Sequence, residues 1–360
     1  MNCSTAASAG LRRSPLCRLV DSQQWQREWL DRLAFGPDRI ADAQVQLWLG
    51  VFPVSWRQLR EPSPLRQQVA AIRRCLSGTY TDLLQAMVAD AALQISLNGP
   101  QSRRGQPNEN FARELLELFS LGLGHYSERD VIESARALTG YRVTPDGVLI
   151  LDPRRHDDGP HTILGRRASF DGPSLVAWLC EQPATAVHII RRLWPTLVGP
   201  PPSAARLQTL AKAWRAQQLS LPWLLDHLRD SADAQAARGQ RLDSPITVVS
   251  RSLALLGSRH PEALVLSLQH LGAMGQAPFE PPSVKGWPVN TEWITLRWLQ
   301  ARRRGLLALL AHEEVWSTRR SLDLLPTSLT AIPPLTLTLP APATRDTIAQ
   351  LFSDPVWQLS

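Results

Sequence analysis

The chain has 360 residues, of which 44% are hydrophobic and 20% are charged, a composition typical of a folded globular protein. Its formal charge of +7 comes almost entirely from arginine, because Lys212 and Lys285 are the only lysines. The arginines form short, scattered clusters instead of one stripe with interleaved aromatic residues, which argues against a nucleic-acid-binding surface. The four cysteines form neither a zinc pattern nor a disulfide framework, and no apolar run approaches the roughly 20 residues of a membrane span.

The N-terminal residues lack the apolar core of about 7–15 residues that marks a secretory signal. We therefore interpret residues 1–20 as a loose leader and expect a soluble, cytoplasmic chain. Helical spacing of apolar residues, interrupted by proline and glycine, predicts a helical domain over residues 21–199. Its first predicted helices cover residues 25–33, 40–51, a segment opened by Pro62 and Pro64, and residues 82–97.

The sequence NENFARELLELFSLG specifies the clearest helix of this domain, over residues 108–120. Asn108 is a suitable N-cap, Glu109 favours the positive end of the helix dipole, and Gly122 or Gly124 supplies a left-handed stop. A helical wheel places the apolar residues on a wide arc and the polar residues on the narrow remainder. This polar strip consists of Asn110, Arg113, Glu114 and Glu117.

Two interpretations of the polar strip stay open. Glu109, Arg113 and Glu117 are four residues apart and can pair as an ordinary salt-bridged face. That pairing leaves Asn110 and Glu114 without a partner in the helix, and an unpaired carboxylate on a largely buried helix is costly. Glu114 is therefore the first candidate for an acid or base, with Asn110 orienting a ligand. Alternatively, the two side chains pin neighbouring Gly-rich loops by hydrogen bonds.

A further helix, capped by Ser127, precedes the one strong β signal of the chain. Residues 141–144 and 148–152 are strand-like, and the sequence PDG between them suits a tight turn. The predicted fold class is therefore mainly α, an irregular multi-helix domain with one small β-hairpin near residues 141–152.

The polar loop 154–161 follows the hairpin and contains His156, Asp157, Asp158 and His161. Such a set could ligate a metal or supply a general base that a carboxylate orients. The spacing matches no zinc pattern, so we predict no metal ligand and take His156 with Asp157 as a candidate proton-transfer pair. The alternative is that these residues only cap and turn the chain.

A triple proline at residues 200–202 marks a hinge that opens a second helical part. This part covers residues 200–323 and is expected to pack on the first. A Pro/Thr/Leu-rich tail with a short terminal helix occupies residues 324–360.

The 280–290 loop of the second part is rich in proline and glycine and contains Lys285 and Trp287. A rigid loop that offers an ammonium and an indole could close over an anionic or sugar-like ligand. Alternatively, Trp287 packs in the core and Lys285 lies in solvent. The Gly-rich segments match no phosphate-loop spacing, so the sequence indicates no particular cofactor.

Three motifs occur here in the order seen in a known bacterial family: NENFARELLELFSLG, HDDG followed by LG, and PPSVKGWP. On these motifs, and on the ending LFSDPVWQ, the chain resembles the domain of unknown function numbered 1800 from about residue 25 onward. The resemblance implies a predominantly helical fold without an assigned reaction. Members of that family often carry export signals, which makes a periplasmic or exported location the alternative to the cytoplasm. They are often encoded beside sulfatase-like and phosphatase-like proteins, which implies a partner protein of that type.

The chain departs from the family pattern in three ways. Where relatives usually have Trp-x-x-His-Phe, residues 48–52 read WLGVF and contain no histidine. An acidic position around Asn98 is also lost, and the N-terminus is short. If the histidine serves catalysis in relatives, this chain is a weakened or inactive enzyme.

Two hypotheses follow. In the first, the protein is an enzyme or a degenerate enzyme, with hydrolysis as one candidate reaction, and its polar site lies between the 108–120 helix, the 154–161 loop and the 280–290 loop. In the second, it is a non-catalytic helical interaction or scaffold protein whose motif residues only hold loops in place.

The enzyme hypothesis gives each candidate residue a role. Glu114 would act as acid or base, His156 with Asp157 would transfer a second proton, and Lys285 would anchor an anion. The remaining polar residues would bind the ligand: Asn110, Arg113, Glu117 and Trp287. Convergence of Glu114, His156 and Lys285 in one site would favour the enzyme over the scaffold.

Overall fold

The computed structural model describes residues 15–59, 61–144 and 146–360 of the chain. Within them α-helices dominate and the strands form only two-stranded antiparallel sheets, so the prediction of a mainly α fold is confirmed. The first helices are α1 (Pro15–Phe35), α2 (Arg39–Val51), α3 (Ser63–Cys75), α4 (Tyr80–Val88), α5 (Ala91–Ser96), α6 (Glu109–Glu117), α7 (Glu128–Ala137), α8 (Gly172–Glu181) and α9 (Pro183–Leu197). They are followed by α10 (Ala204–Ala216), α11 (Leu221–Arg229), α12 (Ala232–Ala236), α13 (Pro245–Leu256), α14 (Pro261–Ala273), α15 (Leu296–Ala311), α16 (Glu313–Ser317) and α17 (Arg345–Ser353).

Capping side chains and prolines decide where several of these helices begin. The predicted helix over residues 82–97 is divided in two, because the Asp90 carboxylate accepts a hydrogen bond from the Leu93 amide (2.8 Å) and so starts α5 as an N-cap. Pro183 opens α9 directly after α8, because proline is favoured at the first position of a helix. Helix α1 begins at Pro15, inside the segment interpreted as a leader, and residues 1–14 of that segment lie outside the described residues.

The described residues contain three antiparallel strand pairs. They are β1 (Tyr141–Val143) with β2 (Leu149–Leu151), β3 (His161–Ile163) with β4 (Arg166–Ala168), and β5 (Leu324–Leu325) with β6 (Ala341–Pro342). The first pair is the predicted hairpin, with Tyr141 opposite Leu151. The sequence does not predict the second pair, because its turn places Leu164 as well as Gly165 at positive φ (49° and 78°) and leucine is not a usual turn residue.

Large aromatic side chains fill the centre of the protein. Adjacent rings in this cluster have centroids 5.1 to 6.5 Å apart. The cluster consists of Trp48, Phe52, Tyr80, Phe119 and Trp214. Its members come from both sides of the boundary proposed at residue 200, so the helices of the two parts contribute to the same core.

The Pro/Gly-rich loop reaches the end of α2 by a close backbone approach. Gly286 has a φ of 91°, and a Cβ atom at this position would lie 2.4 Å from the Gly50 carbonyl oxygen. Only glycine tolerates both conditions, so this residue type is what brings the loop against α2. Among the described helices, none is both long and apolar enough to cross a membrane.

Candidate functional site

Helix α6 carries the predicted polar strip and begins as the sequence predicts. Asn108 is its N-cap, since its side-chain oxygen accepts a hydrogen bond from the Asn110 amide (2.9 Å). The helix buries its apolar arc, which includes Phe111 and Leu115, and leaves the polar strip along an exposed to half-buried edge.

Arg113 is the centre of an ion-pair network. Its guanidinium lies 2.7 Å from a Glu128 carboxylate oxygen and 3.4 Å from one of Glu109. The hydrogen bond between Arg113 and Glu128 raises the pKa of the arginine and lowers that of the glutamate. The pairing of Glu109 with Arg113 is therefore present, but the second carboxylate comes from α7 and not from Glu117.

Asn110 and Glu117 also have local partners. The Asn110 side-chain amide donates to the Leu97 carbonyl (3.1 Å), and the Tyr126 hydroxyl donates to the Glu117 carboxylate (3.2 Å). Asn110 therefore ties the start of α6 to the end of α5, which is the structural role that the sequence left open.

Glu114 differs from the rest of the strip. Within the described part of the chain its half-buried carboxylate has no hydrogen bond and no ion pair. Burial raises the pKa of Glu114 and the charge of Glu117 adds to this rise, whereas the positive charges of Lys285, Arg113 and Arg192 oppose it. A partly accessible carboxylate with a raised pKa is chemically suited to accept or donate a proton.

Arg192 of α9, which the sequence does not single out, joins the segments around Glu114. Its guanidinium donates to the carbonyl oxygens of Leu118 (2.7 Å), Lys285 (3.3 Å) and Gly50 (3.4 Å). These carbonyls belong to the end of α6, the 280–290 loop and the end of α2. Arg192 thus holds three distant segments of the chain together beside Glu114.

His188 lies one turn before Arg192 and binds the same carbonyl. Its Nε2–H donates to the Leu118 oxygen (3.1 Å), and burial lowers the pKa of His188 to about 4, so the ring is neutral at pH 7. A Cβ atom at Gly122 would lie 2.6 Å from the ring, which explains glycine after α6. The four-residue spacing of these two donors on α9 was the available sequence signal. We call Glu114, His188, Arg192 and Lys285 the Glu114 junction.

The 280–290 loop contributes Lys285 to the junction through its backbone and leaves its side chain exposed. The ammonium is close enough to act on the charge of Glu114. Trp287 is half-buried, and its indole N–H is buried without an acceptor among the described residues. Within the described residues the Lys285 ammonium forms no ion pair and is therefore accessible to a ligand.

His156 and Asp157 are bound locally to the end of α7. The His156 Nδ1–H donates to the Thr139 carbonyl (2.9 Å), and the Asp157 amide donates to the Thr139 hydroxyl (2.7 Å). Arg136 donates to the Asp157 carboxylate (2.8 Å) and holds the pKa of Asp157 below its usual range. These contacts are those of residues that cap and turn the chain.

The other polar residues of the 154–161 loop are also engaged. Asp158 pairs with Arg104 (2.5 Å), and the buried His161 accepts a hydrogen bond from the Phe170 amide (3.2 Å). In the residues that the structure describes, no group of three or more histidine, cysteine, aspartate or glutamate side chains is arranged to hold a metal ion.

Of the three predicted site elements, the 108–120 helix and the 280–290 loop lie together, whereas the 154–161 loop, as far as the structure is described, does not contact them through its polar groups. Glu114 and Lys285 come together, with Arg192 and His188 as additional members. In the described structure, no hydrogen bond or ion pair links the 154–161 loop to the polar strip or to the 280–290 loop. The predicted convergence of His156 and Asp157 with Glu114 in one site therefore has no such contact to support it.

A separate depression of about 370 Å³ lies on α9 and α10. It is lined by Pro183, Gln208, Thr209, Ala211, Lys212 and Arg215. Its polar lining contains neither a carboxylate nor an imidazole, so it offers no group for proton transfer near pH 7.

These features define a mainly α-helical protein with a polar junction between α6, α9 and a Pro/Gly-rich loop. The family model described as "Protein of unknown function (DUF1800)" matches residues 16–357. The chain therefore belongs to this family, as its motifs indicate. No curated protein and no solved structure matches the chain significantly.

Proposed function

We propose that the protein binds a small anionic molecule at the Glu114 junction and exchanges a proton with it through Glu114. The observation that carries the proposal is the Glu114 carboxylate, which is half-buried, has a raised pKa and lacks a hydrogen-bonding partner in the described residues. A carboxylate in such a position weakens the fold unless a ligand compensates it, which is typical of functional sites.

Each member of the junction has a distinct role in this proposal. The exposed ammonium of Lys285 attracts the anionic group of the ligand. Glu114 then accepts a hydrogen bond or a proton from a neighbouring hydroxyl or amine of the same ligand. Arg192 and His188 bind backbone carbonyls and so position the segments that carry the first two residues.

Binding without turnover is the form of this function to test first. The histidine implied by the family resemblance is replaced by the buried Val51, which directly follows Gly50, one of the carbonyl partners of Arg192. A chain that lacks this histidine can retain a binding site in a degenerate enzyme.

The alternative function is that of a non-catalytic interaction or scaffold protein. The local hydrogen bonds and ion pairs of Arg113, His156 and Asp157 favour it, since the polar groups of these residues stabilise the fold. A partner of sulfatase or phosphatase type, which the family resemblance implies, would then be recognised by another surface.

Thermal-shift measurements with two inorganic anions test the proposal. Hydrogen phosphate offers a negative charge and a P–OH donor, whereas sulfate at pH 7 offers the charge alone. We expect phosphate to raise the melting temperature of the wild type more than sulfate does, because only phosphate can donate to Glu114. A ligand at about 100 times its Kd stabilises a protein by about 2.7 kcal/mol, which is readily measured.

Three variants assign the effect to the junction. Glu114→Gln should lose most of the preference for phosphate, because a neutral amide oxygen accepts a hydrogen bond more weakly than a carboxylate, and Lys285→Gln should respond to neither anion. Glu109→Gln is the matched control on the same helix and should behave like the wild type, because Glu109 is paired with Arg113. The proposal would be refuted if neither anion changed the melting temperature of the wild type. It would also be refuted if Glu114→Gln and Glu109→Gln responded identically.

A further inference from the structure

The outward face of α15 combines exposed aliphatic side chains with arginines. We call this face, together with Ile294 two residues before the helix, the α15 patch. It consists of Ile294, Leu296, Arg297, Leu299, Arg303 and Arg304. Leu296 is 74% exposed and Ile294 is 59% exposed, so these are among the most exposed large aliphatic residues that the structure describes. Positions 296, 299 and 303 follow one another at helical spacing and lie on one face.

The positive charge of the α15 patch is not compensated within the described residues. None of its three arginines forms an ion pair there, whereas arginines on other helices do, for example Arg113 with Glu128. The sequence contains no acidic residue between Glu292 and Glu313, the interval that includes all of α15. The patch therefore presents unpaired cations beside aliphatic groups.

We infer that the α15 patch binds the surface of an anionic lipid bilayer. Arginines near such a surface are attracted to anionic headgroups. Exposed leucine and isoleucine side chains lower the free energy of the bound state by entering the boundary between headgroups and acyl chains. An electrostatic contact with an acidic protein would account for the arginines but leaves Leu296 and Ile294 in water. The net charge of +7 adds to the attraction at longer range.

Co-sedimentation of the full chain with lipid vesicles tests this inference. We expect binding to vesicles that contain about 30% phosphatidylserine in phosphatidylcholine, no binding to phosphatidylcholine alone, and weaker binding as salt is raised. The double variant Arg303→Glu/Arg304→Glu should lower the partition coefficient about 25-fold or more, since each basic residue contributes about fivefold.

A second double variant distinguishes the contribution of the α15 patch to vesicle binding from that of the net charge. Arg154→Glu/Arg167→Glu changes the charge of the chain by the same amount at two exposed positions outside α15. Its partition coefficient should stay within about threefold of the wild type, because these residues lie outside the patch. Equal losses in the two double variants would overturn the inference, as would a wild type that does not bind the anionic vesicles.

The aliphatic residues are tested in the same assay. Leu296→Ser should weaken vesicle binding by about fivefold, whereas Ile40→Ser, at a position 71% exposed on α2, should leave it unchanged. Unaltered binding of Leu296→Ser would show that the bilayer contact is not made by the α15 patch.

Discussion

The His156 loop (residues 154–161) and the Glu114 junction contain the same kinds of side chain, but their cations have different partners. At the loop, Arg136 of α7 and Arg104, which precedes α6, bind the carboxylates of Asp157 and Asp158. In the junction, Arg192 donates to three backbone carbonyls, and the carboxylate of Glu114 stays without a hydrogen bond in the described residues. The comparison teaches that the partners of the cations distinguish a structural cluster from a candidate site, whereas residue composition does not.

The largest change in the free energy of unfolding is expected at Gly286, where the loop of the junction contacts the backbone of α2. Gly286→Ala should lower the free energy of unfolding by about 2–4 kcal/mol, because it combines a φ of 91° with a contact of 2.4 Å to the Gly50 carbonyl. Gly124→Ala is the matched control, since Gly124 has a φ of 84° but no atom within 4 Å of its Cβ position. It should cost only about 1 kcal/mol. Urea unfolding measures both, and equal losses would contradict the close approach.

A smaller effect is expected in the His156 loop. Asp157→Asn should lower the free energy of unfolding by about 2 kcal/mol at pH 7, because it removes the charge-assisted hydrogen bonds from Arg136. The pKa of Asp157 is depressed in the folded protein, so this stabilisation is present above the ordinary aspartate pKa and is lost as the pH falls through the folded value. The difference from wild type should therefore shrink in acid.

Asp158 supplies the control for this prediction. Its side chain is 80% exposed, and Asp158→Asn should change the free energy of unfolding by less than about 0.5 kcal/mol. If Asp157→Asn is equally mild, the loop is not held by its ion pair and the contrast with the junction fails.

The smallest change in stability is expected at Glu114, where substitution should stabilise the protein instead of weakening it. Its folded pKa is raised, so the charged form costs stability above that value and the cost disappears as the pH falls toward the ordinary glutamate pKa. Glu114→Gln should therefore raise the melting temperature at pH 7 to 8, on the order of 1 °C, and match the wild type below about pH 4. A thermal melt that shows Glu114→Gln to be less stable at pH 7 would place Glu114 with the structural carboxylates.

Much of the fold is predictable because it depends on neighbours in the sequence. Asn108 and Ser127 cap the helices expected of them, and β1 pairs with β2 around the expected turn. The missed features have a different cause. The hairpin of β3 and β4 turns at Leu164, whose own preference opposes that conformation. The Leu164 amide donates a hydrogen bond to the remote Asp130 carboxylate (2.7 Å), which helps to hold it there.

Of the residues in the Glu114 junction, the sequence makes Glu114 and Lys285 candidates and does not single out Arg192 or His188. A carboxylate without a partner in its own helix can be inferred from spacing alone, which is why the sequence makes Glu114 a candidate. The four-residue spacing of His188 and Arg192 places both on one face of α9, but the carbonyls that Arg192 binds lie 142 and 74 residues earlier and 93 residues later in the chain, so the spacing does not predict its partners.

The sequence by itself determined the helices, the first hairpin, the family and the polar strip of α6, because capping, periodicity and turn chemistry act over a few residues. Tertiary structure decided which polar residues are engaged in structural hydrogen bonds and ion pairs. It bound His156 and Asp157 to the end of α7 and directed Arg192 to backbone carbonyls, so that Glu114 has no cation in hydrogen-bond contact among the residues that the structure describes. The physical reason is that a buried polar group must find a partner wherever the fold places one, and that partner is often remote in sequence.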